Sequence, residues 1–174
     1  MDVTLKKSLI EDCAHVIVAH ADELTALDQA IGDGDHGVNM KRGFESLLAD
    51  AESLAARPLA EMLKAIGTQL VMKVGGASGP LYGTLFLSLA KEIQESPTSE
   101  NARAAFASAI EAVKARGKSD VGQKTMLDVL APVLAAWEDR KDLAAHLSDI
   151  ARQAADATIP IKAIRGRASF LGDR

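Results

Sequence analysis

The sequence predicts an all-α protein, and three features of the chain support this fold class. Aromatic residues make up only 3% of the 174 residues, whereas hydrophobic residues reach 48%, and a chain rich in alanine and leucine favours packed helices over sheets. Apolar residues recur at intervals of three and four, as in the series from Leu59 to Val74. Short turn signals separate these series, which favours an antiparallel bundle or closed barrel of about eight helices.

Each predicted helix covers one apolar series and ends at a glycine, a proline or a short polar stretch. In chain order the helices span 4–28, 37–54, 59–74, 79–94, 98–116, 123–137 and 141–158. The breaks between them lie at 32–37, 57–58, 75–76, 96–98, 117–122 and 139–141. We expect a kink near His20 in the first helix, a kink at Pro132 in the sixth, and a further short helix at 160–166.

Three of these breaks are predicted to meet at one end of the bundle. In a series of antiparallel helices, alternate loops lie at the same end. The glycine-rich segment at 32–37, the turn at 75–79 and the turn at 117–122 are separated by even numbers of helices. We therefore expect these three loops to share one rim.

The first of these loops concentrates acidic side chains. Asp28, Asp33 and Asp35 lie within the stretch LDQAIGDGDHGVNM at 27–40. If the glycines fold the stretch into a tight turn, three negative charges converge, and like charges about 4 Å apart repel by roughly 1 kcal/mol even in water. A divalent cation removes that penalty, and oxygen ligands suit Mg²⁺ or Ca²⁺ rather than Zn²⁺.

Two other interpretations of the acidic stretch can be weighed from the residues. An EF-hand calcium loop needs glycine at its sixth position and glutamate at its twelfth, but counting from Asp33 these positions hold Val38 and Phe44. The EF-hand interpretation therefore fails. Alternatively, Asp33 and Asp35 simply cap the helix that follows. Capping needs one carboxylate whereas the segment supplies three, so we favour the cation site.

The second and third loops are less specific. The stretch KVGGASGPLYGT at 73–84 describes a glycine-rich loop that leads into a helix, where backbone N–H groups and the helix dipole bind anions such as phosphate. The alternative that this stretch is a plain turn between two helices is equally compatible with the residues. The stretch does not have the glycine and lysine spacing of a Walker A loop. The stretch GKSDVGQKTM at 117–126 alone is a polar turn before an amphipathic helix. Arg165 and Arg167 are either a solvated basic end or anion contacts.

Composition excludes several functions. A net charge of −4 and a pI near 5.6 give no basic surface for nucleic acid. No run of 18 apolar residues is present and the N-terminus lacks the pattern of a signal peptide, so we expect no membrane association and a cytoplasmic location.

Four motifs in this order resemble a known family, the nucleotide-binding L subunit or L domain of dihydroxyacetone kinases. The motifs are L-D-x-x-x-G-D-G-D-H-G-x-N-M, G-G-A-S-G-P-L-Y-G, G-K-x-x-x-G-x-K-T-M and G-R-A-S-F-L-G-D-R, and the resemblance runs from about Leu24 to Arg174. It implies one L-type nucleotide-binding domain over 1–174, folded as a barrel of eight antiparallel helices with ADP or ATP at one rim. The family usually continues with S-x-G-H-x-D-P-G-A, which helps close the adenosine pocket, so we expect altered adenosine binding in the chain as given.

The resemblance also implies the site residues. Asp28, Asp33 and Asp35 would ligate two Mg²⁺ ions that hold the nucleotide phosphates. The residues implied to contact the phosphates are His36, Gly37, Val38, Asn39, Ala77 and Ser78. Gly117 and Met126 would contact the adenosine part, and Arg167 the nucleotide near the C-terminal end. No side chain is assigned covalent chemistry, because phosphoryl transfer needs positioning and charge neutralisation.

The resemblance favours one function and leaves two alternatives. In the favoured one, the chain carries ADP, accepts a phosphoryl group from a phosphorylated phosphotransferase-system protein, and passes it to dihydroxyacetone or a similar short ketose on a K subunit. One alternative is an ATP-dependent small-sugar kinase subunit of the same architecture. The other is a non-catalytic nucleotide-sensing protein that binds a regulator. A homodimer also stays open.

Overall fold

The computed structural model describes residues 1–170 and confirms the all-α fold class. The helices of the described residues are α1 (Val3–Ala19), α2 (Ala21–Ile31), α3 (His36–Ala49), α4 (Ala51–Ala55), α5 (Leu59–Lys73), α6 (Ser78–Glu92), α7 (Ser99–Gly117), α8 (Leu127–Ala135), α9 (Leu143–Ala157) and a 3₁₀ helix (Arg167–Phe170). The nine α-helices within this part exceed the expected eight or so because two predicted helices are each divided. One break falls at His20, where a kink was expected, and the other at Asp50.

Two predicted boundaries in the C-terminal third are wrong. The sixth helix begins at Leu127 rather than 123, because Gly122 (φ 86°) and Lys124 (φ 56°) adopt left-handed backbone conformations that no helix accommodates. No α-helix covers 160–166 within the described chain. Around this segment, the carbonyl of Ile159 accepts a hydrogen bond from Lys124 and the Arg165 side chain donates to Gln123, and both partners lie in the loop before α8.

Consecutive helices pack side by side, as expected for an up-and-down arrangement. From α5 to α9 each helix contacts the next, while α3 contacts α1, α2 and α5. This order is compatible with the closed ring of helices that the sequence predicts. The core has two parts. The larger joins α1, α3, α4 and α5, and its fully or nearly fully buried side chains include Ala14, Met40, Leu47, Leu54 and Leu70; the smaller joins α6, α7 and α8 through Leu85, Ala109, Ile110, Val113 and Leu127.

Helices α5 and α6 approach each other most closely at a pair of glycines. A Cβ atom added to Gly67 would lie 2.9 Å from the carbonyl oxygen of Gly83, and one added to Gly83 would lie 2.9 Å from the carbonyl oxygen of Gly67. Any larger residue would push the two backbones apart. The contact fixes the axis of α6, whose N-terminus carries the second glycine-rich loop.

None of the helices in the described part of the chain is both long enough and apolar enough to span a membrane.

Replacing Gly83 by alanine should destabilise the fold. The new Cβ would lie 2.2 Å from Cγ2 of Val71 and 2.9 Å from the Gly67 carbonyl, and overpacking of this kind costs about 1–3 kcal/mol. Urea denaturation followed by circular dichroism measures the loss. Adding Val71→Ala removes only the side-chain clash, so the double variant should recover part of the stability. Full stability of Gly83→Ala alone would show that the helices can separate at little cost.

Candidate functional site

The loop between α2 and α3 brings the three predicted aspartates together. One carboxylate oxygen from each of Asp28, Asp33 and Asp35 lies within 4.8 Å of the others. Asp28 is half-buried, while Asp33 and Asp35 are exposed. Three carboxylates at this spacing form the kind of oxygen donor set that a hard divalent cation prefers.

The capping interpretation, which named Asp33 and Asp35, is wrong for Asp35, because the acceptor at the start of α3 is Asp28 instead. Oδ2 of Asp28 accepts hydrogen bonds from the backbone N–H groups of Asp35, at 2.9 Å, and His36, at 3.2 Å. Asp35 occupies the N-cap position of α3 but its side chain makes no capping hydrogen bond. An aspartate on the preceding helix therefore caps α3, and the Asp35 carboxylate is not needed for that purpose.

Two glycines allow the acidic loop to adopt this shape. A Cβ atom on Gly32 would lie 2.1 Å from Oδ1 of Asp28, so a side chain at this position would displace the carboxylate. Gly34 has φ +73°, a conformation that residues with a side chain rarely adopt. The convergence of the carboxylates thus depends on glycines as much as on the aspartates.

The loop before α6 lies beside the acidic loop. Oγ of Ser78, the first residue of α6, is 3.2 Å from Nδ1 of His36, the first residue of α3. The N-termini of two helices therefore meet here, and both present partly positive backbone N–H groups to the same region. This is the environment that phosphate oxygens require.

Asn39 is held in place by a residue that the sequence analysis did not single out. Nη2 of Arg42 donates to Oδ1 of Asn39 at 2.8 Å, and Nε of Arg42 donates to the carbonyl of Lys73 at 2.8 Å. The amide of Asn39 lies directly against Gly75, where a Cβ would be 2.5 Å from Oδ1. The only indication in the sequence was that Asn39 and Arg42 are three residues apart, since residues at this spacing on a helix are neighbours.

A cavity of about 600 Å³ opens next to these two helix N-termini. All three glycine-containing loops contribute to its wall, which confirms the predicted common rim. The predicted site residues that line it are His36, Ala77, Ser78, Gly117 and Met126. Its volume is within the range of small-molecule and cofactor sites.

The remaining predicted phosphate contacts do not line the cavity. Gly37 is buried against α2, where an added Cβ would be 1.9 Å from the carbonyl oxygen of Ala21. The side chain of Val38 is exposed, and Asn39 is buried behind the Gly75 loop. The side chain of Arg167 lies outside the part of the chain that the structure describes.

The cavity changes character along its length. Near the acidic loop its wall is polar, with His36 and Ser78, whereas the side formed by α6, α7 and the start of α8 combines apolar side chains with the cationic side chain of Arg116. The apolar side is formed by Leu81, Tyr82, Val113, Met126 and Leu127. Burial raises the pKa of Tyr82, so its hydroxyl is neutral at physiological pH. A ligand with a charged end and a flat apolar end suits this arrangement.

Comparison with known proteins identifies the family. The DAK2 domain matches residues 30–174, and this chain belongs to that family. It is 43% identical over 152 residues to the ADP-binding subunit DhaL of PEP-dependent dihydroxyacetone kinase 1 from Listeria innocua, covering 87% of this chain and 75% of that protein. It is 38% identical to the ADP-binding subunit DhaL of the PEP-dependent dihydroxyacetone kinase from Escherichia coli, covering 93% of this chain and 81% of that protein.

A solved structure supports the same assignment. The fold matches the crystal structure of the dihydroxyacetone kinase from C. freundii in complex with AMP-PNP and Mg²⁺, with a TM-score of 0.78 and 25% identity. The match covers 89% of this chain but only 29% of that longer protein. The relatives are therefore kinases or kinase subunits, and the chain corresponds to one part of the C. freundii enzyme.

Alanine substitutions of Asp28 and Asp35 should differ in their effect on stability without metal. Both remove one negative charge, but only Asp28→Ala removes an acceptor for the N–H groups at the start of α3, and loss of a helix cap costs about 0.5–2 kcal/mol. Asp35→Ala relieves charge repulsion at no such cost. Thermal unfolding in EDTA checks this. Equal destabilisation by the two variants would contradict the assignment of the cap to Asp28.

Proposed function

We propose that this chain is the ADP-binding subunit of a dihydroxyacetone kinase that depends on the phosphotransferase system. One observation carries the proposal: the three clustered carboxylates belong to the loop that leads directly into His36, which lines a cavity with both polar and apolar side chains. The names of the two bacterial relatives support it, because this chain spans 75% and 81% of their lengths. We treat 1–174 as a single nucleotide-binding domain.

The residues present fit a magnesium nucleotide. Asp28, Asp33 and Asp35 supply only hard oxygen donors, and the C. freundii structure to which the fold is similar contains Mg²⁺ with AMP-PNP. We propose that they hold two Mg²⁺ ions, since about four positive charges then offset most of the roughly six negative charges that the carboxylates and ADP contribute together. When bound, the ions neutralise phosphate charge for in-line transfer.

The chain itself binds and orients the nucleotide. His36, aligned by Ser78, and the N–H groups at the start of α6 near Ala77 would face the phosphates. Gly37 and Val38 belong to the first turn of α3, whose N–H groups would face the same end, whereas the N–H of Asn39 donates to the carbonyl of Asp35, so that Asn39 would act through its side chain. Gly117 and Met126 would contact the adenosine part, and Arg167 the nucleotide near the C-terminal end. No side chain of the chain is proposed to form a covalent bond to the phosphoryl group.

Two partners complete the proposal. A phosphorylated phosphotransferase-system protein would supply the phosphoryl group to ADP, and dihydroxyacetone or a similar short ketose on a separate K subunit would receive it. The chain's task is to hold the nucleotide so that a donor and an acceptor can reach its terminal phosphate in turn.

One observation favours a second candidate, in which ATP is used directly: the similar C. freundii kinase structure contains AMP-PNP, an analogue of ATP. The chain is also 31% identical over 92% of its length to the D-erythrulose kinase of Mycolicibacterium smegmatis, of which it spans 30%. Such a similarity is compatible with a subunit that takes ATP from solution and works with a K-type partner on another small sugar.

Loss of one acidic ligand should abolish tight nucleotide binding. Asp33→Asn keeps the size of the side chain but removes a charged oxygen donor, and cation affinity depends on the number of charged ligands. We expect Mg²⁺-dependent ADP affinity, measured by calorimetry, to fall more than about tenfold with the helical circular dichroism signal unchanged. Asp139→Asn, at an exposed carboxylate after α8, is the matched control. Wild-type protein that binds no ADP with Mg²⁺ would refute the proposal.

The phosphoryl donor can be identified by turnover. With a K subunit and dihydroxyacetone present, we expect ketose phosphate to form when the phosphorylated carrier protein is supplied with catalytic amounts of ADP. Equal or faster turnover with excess ATP and no carrier protein would favour the second candidate. Nucleotide-dependent complex formation without transfer from either donor would indicate a sensor protein.

A further inference from the structure

The apolar end of the cavity is formed partly by a loop with little regular structure. Residues 118–126 connect α7 to α8, and Ser119, Thr125 and Met126 of this loop line the cavity. Lys118 and Lys124 adopt positive φ angles of 48° and 56°, which are unfavourable for residues with a side chain. A loop of this shape needs specific contacts to hold it.

Asp128 supplies those contacts from the first turn of α8. Its side chain is almost completely buried, with 7% exposure. Oδ1 accepts a hydrogen bond from the N–H of Gly122 at 2.5 Å, and Oδ2 accepts one from the N–H of Thr125 at 2.7 Å. One carboxylate thus pins two points of the loop, on either side of the strained residue Lys124.

Asp128 differs from an ordinary helix cap in the position of the N–H groups that donate to it. A capping side chain precedes the helix and accepts from N–H groups inside its first turn. Asp128 lies inside α8, and both of its donors, Gly122 and Thr125, lie before the helix begins. Its carboxylate therefore orders the loop.

The ordered loop in turn holds the next part of the cavity wall. Nζ of Lys124 donates to the carbonyl of Ile159 at 3.0 Å, and Nε of Arg165 donates to Oε1 of Gln123 at 3.0 Å. Arg165 itself lines the cavity. A chain of contacts therefore leads from buried Asp128 through the loop to a cationic side chain at the cavity.

We propose that Asp128 is a positioning residue for the adenosine end of the nucleotide site. It fixes Thr125, Met126 and, through Gln123, Arg165 in the arrangement that accepts the nucleoside, without lining the cavity itself. The inference rests on the proposed function in one respect, namely that the ligand of this cavity is a nucleotide. The phosphate end, formed by the acidic loop and the start of α6, does not depend on Asp128.

The test compares two ligands that share their charged groups. Magnesium pyrophosphate occupies only the phosphate end, whereas magnesium ADP also needs the adenosine end. For Asp128→Ala we expect ADP affinity to fall about tenfold or more, because a charged acceptor of two hydrogen bonds is lost. Pyrophosphate affinity should stay within about twofold of the wild-type value. Titration calorimetry on the full chain measures both.

Two further variants make the comparison decisive. Asp128→Asn keeps one accepting oxygen and the side-chain volume, so it should fold and lose less ADP affinity than Asp128→Ala. If the alanine variant does not fold, the comparison of ADP with pyrophosphate is made on the asparagine variant. Asp120→Asn alters an exposed carboxylate of the same loop that accepts only from the adjacent Val121 N–H and Lys114, and should leave both affinities unchanged.

The outcomes separate this inference from the proposed function. Unchanged ADP affinity in both Asp128 variants, or equal losses for ADP and pyrophosphate, would overturn the positioning role. Wild-type protein that binds neither ligand with Mg²⁺ would instead overturn the proposed function on which the inference rests.

Discussion

The site depends on one interaction, the pair of hydrogen bonds that the Asp28 carboxylate accepts from the backbone of Asp35 and His36. These bonds close the acidic loop, and closure brings three negative charges within a few ångströms of one another. They also satisfy N–H groups at the start of α3, which would otherwise face the loop unpaired. The same carboxylate therefore contributes both to helix formation and to the charge cluster, and the Gly32 backbone leaves just enough room for it.

The two ends of the cavity are built on different physical principles. At the charged end, helix packing holds the N-termini of α3 and α6, through the close approach of Gly37 to α2 and the backbone contact between Gly67 and Gly83. At the apolar end, the wall is a loop held by a buried carboxylate and a few side-chain hydrogen bonds. Under the proposed function, phosphate binding would rest on helix N-termini, whereas nucleoside binding would depend on a loop held by side-chain hydrogen bonds.

The sequence allows much of this arrangement to be predicted, for identifiable reasons. Apolar periodicity specifies the helices because burial of one face dominates their stability, and the order of loops along antiparallel helices was enough to place three of them at one rim. The break at His20 was expected. The carboxylates of Asp28 and Asp35 were also expected to converge, but their division of roles was not, because it depends on which oxygen reaches which N–H group.

Other features depend on contacts distant in sequence, and these escaped prediction. The late start of α8 follows from the hydrogen bonds that the Asp128 carboxylate accepts from Gly122 and Thr125. The polar residues before α8 give no sign in the sequence that this later aspartate holds them in a loop. The segment at 160–166, which forms no α-helix in the described chain, is tied to the loop before α8 by hydrogen bonds from Lys124 to the Ile159 carbonyl and from Arg165 to Gln123, which no local sequence pattern indicates. The role of Arg42 could not be predicted because it depends on a hydrogen bond to the carbonyl of Lys73, and only the folded structure brings these two residues together.

The tight packing of α5 on α6 also has a consequence for how a ligand enters and leaves. Because their backbones touch at Gly67 and Gly83, these helices cannot part without breaking the core. Segments with few buried contacts open at lower free energy than packed helices. Widening of the cavity to admit a ligand would therefore cost less at the 118–126 loop than between α5 and α6.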